Sequence, residues 1–100
     1  MLKIRRLTLD DKSEVVEITK NIWDGDDYIP RVFDKWVQDK DGEFVAAVDN
    51  HGKIIGFEKL TMVTQHDAWI EGLRKDLSSK VKGVGVFLTN YFLDKLSSFQ

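Results

Sequence analysis

The chain has 100 residues, of which 42% are hydrophobic and 32% are charged, and its formal net charge is −2. This length and composition predict one small globular domain, and the near balance of charge argues against a nucleic-acid partner. The sequence contains no cysteine, which excludes disulfides, cysteine nucleophiles and cysteine-ligated zinc and fits a cytoplasmic location.

The first half of the chain predicts one strand followed by two helices. Alternating apolar and basic residues indicate a strand over about residues 2–7. Thr8 and the carboxylates after it are a helix-start signal, and an apolar face follows at helical spacing: Val15, Ile18, Ile22. The aspartate-rich residues 24–27 break this helix, and Pro30 is compatible with the first turn of a second one. The second helix has its own apolar stripe: Val32, Phe33, Trp36, Val37.

The second half predicts three strands and a last helix. Residues 43–48, 54–63 and 69–74 are apolar runs separated by turn residues, and an apolar face at helical spacing begins near Val84. We therefore expect an α+β fold of order β-α-α-β-β-β-α, in which four antiparallel strands pair in sequence order. The first two helices would cover one face and the last helix the other. Without repeats or linkers, residues 1–100 are predicted to form a single domain whose tryptophans lie in the core.

The turn before the last helix is the strongest candidate for a binding site. It reads Lys80-Val81-Lys82-Gly83-Val84-Gly85. Glycines allow a ligand to approach the backbone, and the unpaired N–H groups at a helix start attract phosphate. The plainer alternative is an ordinary loop with helix-entry glycines.

This turn and the strand before it resemble those of the GNAT acetyltransferase superfamily. The family's motif is arginine or glutamine, two residues, glycine, one residue, then glycine or alanine, and Lys80 here replaces the usual first residue. The preceding segment, Trp69-Ile70-Glu71-Gly72-Leu73-Arg74, is similar to the family's fourth strand. The resemblance covers nearly the whole chain and corresponds to the first two thirds of the family's fold.

A narrower resemblance lies between the first two predicted helices. Residues 22–30 are similar to the "DG-x-DY-[IL]-P" segment of the branch that resembles histidine N-acetyltransferase. This similarity makes Trp23 and Tyr28 candidates for contact with an acceptor substrate. Alternatively, the ring of Tyr28 packs over the helix junction.

The family resemblance implies transfer of an acetyl group from acetyl-CoA to a small-molecule amine. The pantetheine arm would bond to backbone groups near Leu73 and Lys75, and the pyrophosphate would lie on residues 80–85. Glu71 would act as the general base, although a solvated strand carboxylate is the alternative role. The chain's two histidines support no metal site, and we predict no metal cofactor and no membrane partner.

The sequence departs from the family's pattern in ways that leave other functions open. Lys80 keeps a positive charge but lacks the planar donor group of arginine. A complete family member continues with a fifth strand, so the domain is expected to be C-terminally incomplete, either as a natural chain or as a gene fragment. The alternative to an enzyme is a non-catalytic module that associates through its open sheet edge, as a homodimer or with a complementing chain.

Overall fold

A computed structural model describes residues 1–22 and 25–97. The strands are β1 (Lys3–Arg6), β2 (Glu43–Val48), β3 (Ile54–Met62) and β4 (Ala68–Lys75). The helices are α1 (Lys12–Thr19), α2 (Ile29–Val37) and α3 (Val84–Ser97), and a short 3-10 turn at Leu9–Asp11 precedes α1. The element order β-α-α-β-β-β-α is the predicted one.

The sheet confirms the predicted topology. Its four strands pair antiparallel in the order β1-β2-β3-β4, so consecutive strands of the chain are neighbours in space. Within the described residues β4 pairs only with β3 and is therefore an edge strand. Its free edge is the side of the sheet nearest the candidate site.

Each face of the sheet buries its own apolar cluster. Phe44 and Phe57 point toward α1 and α2, and they pack with Val15, Ile29 and Phe33. The alternate residues of the strands point toward α3, where they meet another set of buried side chains: Val45, Ala47, Ile55, Leu60, Val84, Leu88, Phe92. The predicted placement of the helices on opposite faces is thus confirmed, because the period-2 alternation of the strands divides the core into two layers.

The helix starts follow from short polar side chains. The Thr8 amide donates to Asp11 Oδ2 at 2.8 Å, which fixes the turn that leads into α1. Asp27 Oδ1 accepts from the Ile29 amide at 3.0 Å and so satisfies an unpaired donor at the start of α2. Pro30 occupies the first turn of α2, where its missing N–H carries no penalty.

Several charged side chains lie inside the protein, and the sequence pattern did not reveal them. Lys59 is 0% exposed, and its Nζ donates to Asp39 Oδ2 at 2.6 Å, Leu60 O at 2.9 Å and Thr61 Oγ1 at 2.9 Å. On the other face, buried Glu43 accepts hydrogen bonds from Tyr91 and Lys95 of α3. These contacts satisfy the buried charges, as the low-dielectric interior requires.

The expectation that the tryptophans are core residues holds for Trp36 and is wrong for Trp69. Trp36 is 9% exposed, whereas Trp69 on the edge strand is 63% exposed. The edge position explains the difference, because no further strand or helix of the described chain lies beside β4 to cover the indole. Trp23 lies outside the described residues. No helix in the part of the chain that the structure describes has the length and apolar character to span a membrane.

Candidate functional site

A β-bulge in the edge strand β4 forms the centre of the candidate site. Phe57 pairs with Arg74 and Lys59 pairs with Glu71, so β4 carries one extra residue between these pairs. Gly72 lies in this bulge at φ 69°, a left-handed conformation that glycine adopts without steric cost. The bulge interrupts the regular ladder and changes the direction in which the edge of β4 presents its backbone groups.

The loop after β4 is held by Asp76. Its backbone N–H donates to Ile55 O at 2.9 Å, and its Oδ1 accepts from the Ser78 amide at 3.0 Å and from Ser78 Oγ at 2.7 Å. Burial acts to raise the pKa of Asp76, but the hydrogen bonds from Ser78 and the charge of Lys53 outweigh it and hold this pKa below its ordinary value. An ionised Asp76 therefore anchors the loop that leads to α3.

The start of α3 presents a row of unbonded backbone amides. Within the described residues, the N–H groups of positions 82–86 have no hydrogen-bond acceptor, and the first helical bond runs from the Phe87 amide to Gly83 O at 2.9 Å. Gly83 has φ 78°, and a Cβ built there would meet no atom within 4 Å, so the surface beside it is open. Unbonded amides at an accessible helix start form a site suited to an anion.

The side chains of the predicted phosphate turn divide into two groups. Lys80 and Lys82 are at least partly exposed and add positive charge around the amides, and Val81 is 37% exposed. Val84, in contrast, is 1% exposed and packs in the α3 layer of the core, so it can offer a ligand only its backbone N–H. The predicted residues 80–85 are thus grouped at one helix start.

A groove of about 410 Å³ connects this helix start with β4. Leu73 forms its strand side, and its helix side consists of residues of the first two turns of α3: Gly85, Val86, Thr89, Asn90. A Cβ on Gly85 would lie 3.4 Å from Leu73 Cδ2, so the absence of a side chain there leaves room between strand and helix. Lys75 pairs with Gly56, where an added Cβ would touch Val84, and it therefore emerges on the same face as α3.

The opposite face of β4 carries a different set of groups. Arg74 donates from Nε to Asp27 Oδ2 at 2.7 Å and from an Nη to Asp27 Oδ1 at 3.2 Å, and its guanidinium lies 5.4 Å from the centroid of the Tyr28 ring. Tyr28 makes an edge contact with Trp36 at a centroid distance of 6.1 Å. The Arg74–Asp27 pair thus ties the segment before α2 to the bulged strand.

Glu71 lies on this same face, across the strand pair from Lys59. Its side chain is half-buried and makes no hydrogen bond or ion pair with any residue that the structure describes. Because this carboxylate lies at an open strand edge and is unpartnered among residues 1–22 and 25–97, it is available to accept a proton or to bind a cation.

The structure thus places the predicted site residues in two groups separated by β4. Residues 73, 75 and 80–85 lie on the α3 side, while Glu71 and Tyr28 lie on the α2 side. Asp27 and Arg74 were not predicted as a pair, and their opposite charges were the only signal that the sequence offered. No group of three or more potential metal-ligating side chains occurs within residues 1–22 and 25–97.

Comparison with proteins of known sequence finds relatives that share most of this chain. It is 28% identical over 92 residues to the histidine N-acetyltransferase of Oreochromis niloticus and 26% identical over 92 residues to that of Scomber australasicus. Each alignment covers 91% of this chain, which spans 27% of the length of either relative. No protein-family model matches the chain.

Comparison with solved structures identifies the fold. The ribosomal-protein-S18-alanine N-acetyltransferase of Escherichia coli superposes with a TM-score of 0.79 at 19% identity, over 98% of this chain and 61% of that one. An aminoglycoside 6'-N-acetyltransferase complexed with coenzyme A superposes with a TM-score of 0.76 at 18% identity, over 96% and 56% of the two chains. A GNAT-family acetyltransferase of Staphylococcus aureus superposes with a TM-score of 0.78 at 16% identity, over 98% of this chain and 67% of that one. The predicted GNAT-like α+β fold is thereby confirmed over most of the chain.

Proposed function

We propose that this chain, which has the GNAT fold over most of its length, provides the acetyl-CoA-binding part of an N-acetyltransferase that acts on a small-molecule amine. The observation that carries this proposal is the row of unbonded amides at the start of α3, beside a bulged edge strand. The relatives that match the chain are histidine N-acetyltransferases, which supports an amine acceptor. The activity of the whole protein is part of the proposal, since the chain spans 27% of those relatives.

The geometry of the α3 face suits the parts of coenzyme A. The amides of residues 82–86 would bind the pyrophosphate oxygens, and Lys80 and Lys82 would add electrostatic attraction. The groove between Leu73 and α3 would hold the less polar pantetheine arm, whose amides can pair with the free backbone groups of β4 near Leu73 and Lys75. In this arrangement the reactive end of the molecule would lie at the free edge of β4, near the bulge at Gly72.

Glu71 and the backbone of the bulge would be the groups of this chain that act in acetyl transfer. Acetyl-CoA supplies an acetyl thioester, whose C–S bond breaks as a C–N bond forms to the amine. Glu71 would take the proton that the ammonium form of the acceptor must lose, directly or through one water. A backbone N–H at the free edge of the bulge would stabilise the negative charge on the carbonyl oxygen. The attacking nitrogen would lose its second proton to solvent as the amide forms, and the leaving thiolate would take up one proton from solvent to become the thiol.

Isothermal titration of the chain with acetyl-CoA tests the cofactor part of this proposal. We expect saturable binding that weakens as salt is added, because charged groups contribute to phosphate recognition. The double variant Lys80→Ala/Lys82→Ala should bind more weakly. A control with the same loss of charge, Lys35→Ala/Lys40→Ala, removes two exposed lysines of α2 and the loop after it and should bind like the wild type. Absence of binding at millimolar acetyl-CoA would contradict the proposal.

A second candidate function rests on the free edge of β4. Within the described residues this strand pairs on one side only, and unpaired edges can add a strand from another chain. We propose, as the alternative, a non-catalytic module that forms a homodimer or binds a complementing chain through this edge. Sedimentation equilibrium at high protein concentration tests the homodimer, because a strictly monomeric chain would exclude it.

A further inference from the structure

A carboxylate that the proposed chemistry does not use lies beneath α3. Glu58 of β3 is 2% exposed, and it pairs with Val45, whose side chain belongs to the α3 layer of the core. On its other side Glu58 lies opposite the extra residue of β4, between the two strand pairs that define the bulge. The fold thus buries an ionisable group directly beside the part of β4 that forms the groove.

Two carboxylates lie buried under α3, and they differ in their partners. Glu43 is 6% exposed and accepts hydrogen bonds from Tyr91 and from the ammonium of Lys95. Glu58 has no ion-pair partner among residues 1–22 and 25–97, and its carboxylate accepts from Thr89 Oγ1, which lies 3.2 Å from Oε2 and 3.4 Å from Oε1. A buried carboxylate without a counter-ion favours its neutral form.

Charged and titratable groups occur on each element packed against Glu58, and none of those in the described residues forms an ion pair with it. On β4, Lys75 is level with Gly56, two residues along β3 from Glu58. The others on this side belong to β2, the loop after β4 and α3: Glu43, Asp76, Lys80, Lys82, Tyr91, Asp94, Lys95. Burial therefore raises the pKa of Glu58, and the hydrogen bond from Thr89 opposes it.

Thr89 connects the Glu58 carboxyl with the groove between β4 and α3. Its side chain lines the groove, and its hydroxyl is the donor to Glu58. Leu73, on the strand side of the groove, belongs to the part of β4 opposite Glu58. Solvent in the groove is therefore one hydrogen bond away from the carboxylate, and a ligand that fills the groove excludes that solvent.

We propose that the Glu58–Thr89 pair couples occupancy of the groove to the uptake of a proton by Glu58. A ligand in the groove removes water that stabilises the carboxylate, which then takes a proton from solvent. This inference rests on the proposed function, in which the ligand is the pantetheine arm of acetyl-CoA, and it adds control of the same site by pH. Since the proton and the ligand favour each other's binding, the affinity for acetyl-CoA falls as pH rises through the pKa of Glu58.

Carbon NMR of the Glu58 side-chain carboxyl measures this coupling directly. The signal is identified in the ¹³C-labelled chain by its loss in Glu58→Gln, and its titration midpoint is compared with and without saturating acetyl-CoA. We expect the midpoint at a higher pH in the complex. Pantetheine should also raise it, whereas 3′-phospho-ADP, the nucleotide half of coenzyme A, would occupy the helix start alone and should leave it unchanged.

Isothermal titration with acetyl-CoA gives an independent readout of the same coupling. The Kd of the wild type divided by that of Glu58→Gln should grow about three- to tenfold between pH 5 and pH 8, because only the wild type takes up this proton. Taking the ratio cancels the ionisation of acetyl-CoA itself. The matched control is Asp94→Asn, which removes an exposed carboxylate from α3 and should follow the wild type at every pH.

An unchanged midpoint in the acetyl-CoA complex, or a Kd ratio that stays constant with pH, would overturn the coupling and leave the proposed function in place. A midpoint raised equally by 3′-phospho-ADP would overturn the role of the groove, since contact with the helix start would then be sufficient. Failure of acetyl-CoA to bind at millimolar concentration would contradict both proposals, because no ligand would then occupy the groove.

Discussion

The indole of Trp36 packs directly against Gly72 in the bulge of β4. A Cβ built on Gly72 would lie 2.5 Å from Trp36 Cζ3 and 2.7 Å from Cη2, closer than any real contact allows. Trp36 also meets Phe44 edge-on at 5.3 Å between ring centroids, so it cannot move without disturbing the core. The α2 layer therefore sets the position of the bulge on which the candidate site is built.

Replacing this glycine should destabilise the fold strongly. Gly72→Ala introduces both the contact with Trp36 and a side chain at positive φ, and we expect it to lower the free energy of unfolding by about 2–5 kcal/mol. Gly52→Ala is the matched control, because Gly52 has φ 79° and open space around it, and it should cost about 1–2 kcal/mol. Urea denaturation measures both variants. Equal losses would show that Trp36 does not constrain the bulge.

The helices, the strands and their buried faces were predictable from the local sequence pattern, whereas the bulge in β4 was not. Alternating residues of β2 and the helical spacing of α3 identify elements and their buried faces, because burial of one face imposes those periods. The extra residue in β4 depends on how Gly72 meets Trp36, which lies far away in the sequence. For the same reason Trp69 was wrongly expected in the core: its exposure depends on its strand being at the edge.

The candidate site likewise has one part that was predictable from the sequence and another part that was not. The glycine-containing turn at residues 80–85 was recognisable because the backbone chemistry at a helix start is local. The pairing of Asp27 with Arg74 joins positions 47 residues apart, and the pattern of neither segment specifies it. The burial of Lys59 was also unpredictable, since a lysine in a strand is ordinarily solvated.

Removing either partner of the Lys59–Asp39 pair should have unequal consequences. The Lys59 side chain is 0% exposed and that of Asp39 is 28% exposed, so only Asp39 can be rehydrated when its partner is lost. Asp39→Ala leaves the buried ammonium of Lys59 without its counter-ion and should lower the free energy of unfolding by about 3–5 kcal/mol. Lys59→Met places an apolar chain of similar length in the same space and should cost about 1–2 kcal/mol. Urea titrations that reverse this order would contradict the burial argument.

Glu58 should contribute to the free energy of unfolding by an amount that depends on pH, because its carboxylate is buried. Glu58 is 2% exposed, and burial raises its pKa, while a hydrogen bond from Thr89 Oγ1, 3.2 Å from Oε2, opposes the shift. Because its folded pKa exceeds its unfolded pKa of about 4.3, its favourable contribution is present below that pH and is lost as pH rises through the folded pKa.

Glu58→Gln should therefore raise the free energy of unfolding at pH 7, with a difference from the wild type that shrinks toward pH 4. Measuring the difference between the two proteins across this range cancels the other titrating carboxylates. Thr89→Val serves as a control that removes the opposing hydrogen bond and should steepen the wild-type trend. A constant difference at all pH values would show that folding does not shift the pKa of Glu58.

The most direct test of the central claim is an amide NMR titration of the chain with acetyl-CoA. If the start of α3 binds the pyrophosphate, the N–H signals of residues 82–86 should shift most, together with those of Leu73 and Lys75, and the shifts should weaken in Lys80→Ala/Lys82→Ala. The amides of β1, on the far edge of the sheet, should not move. Shifts confined to other surfaces, or none at millimolar acetyl-CoA, would contradict the assignment of this helix start as the cofactor site.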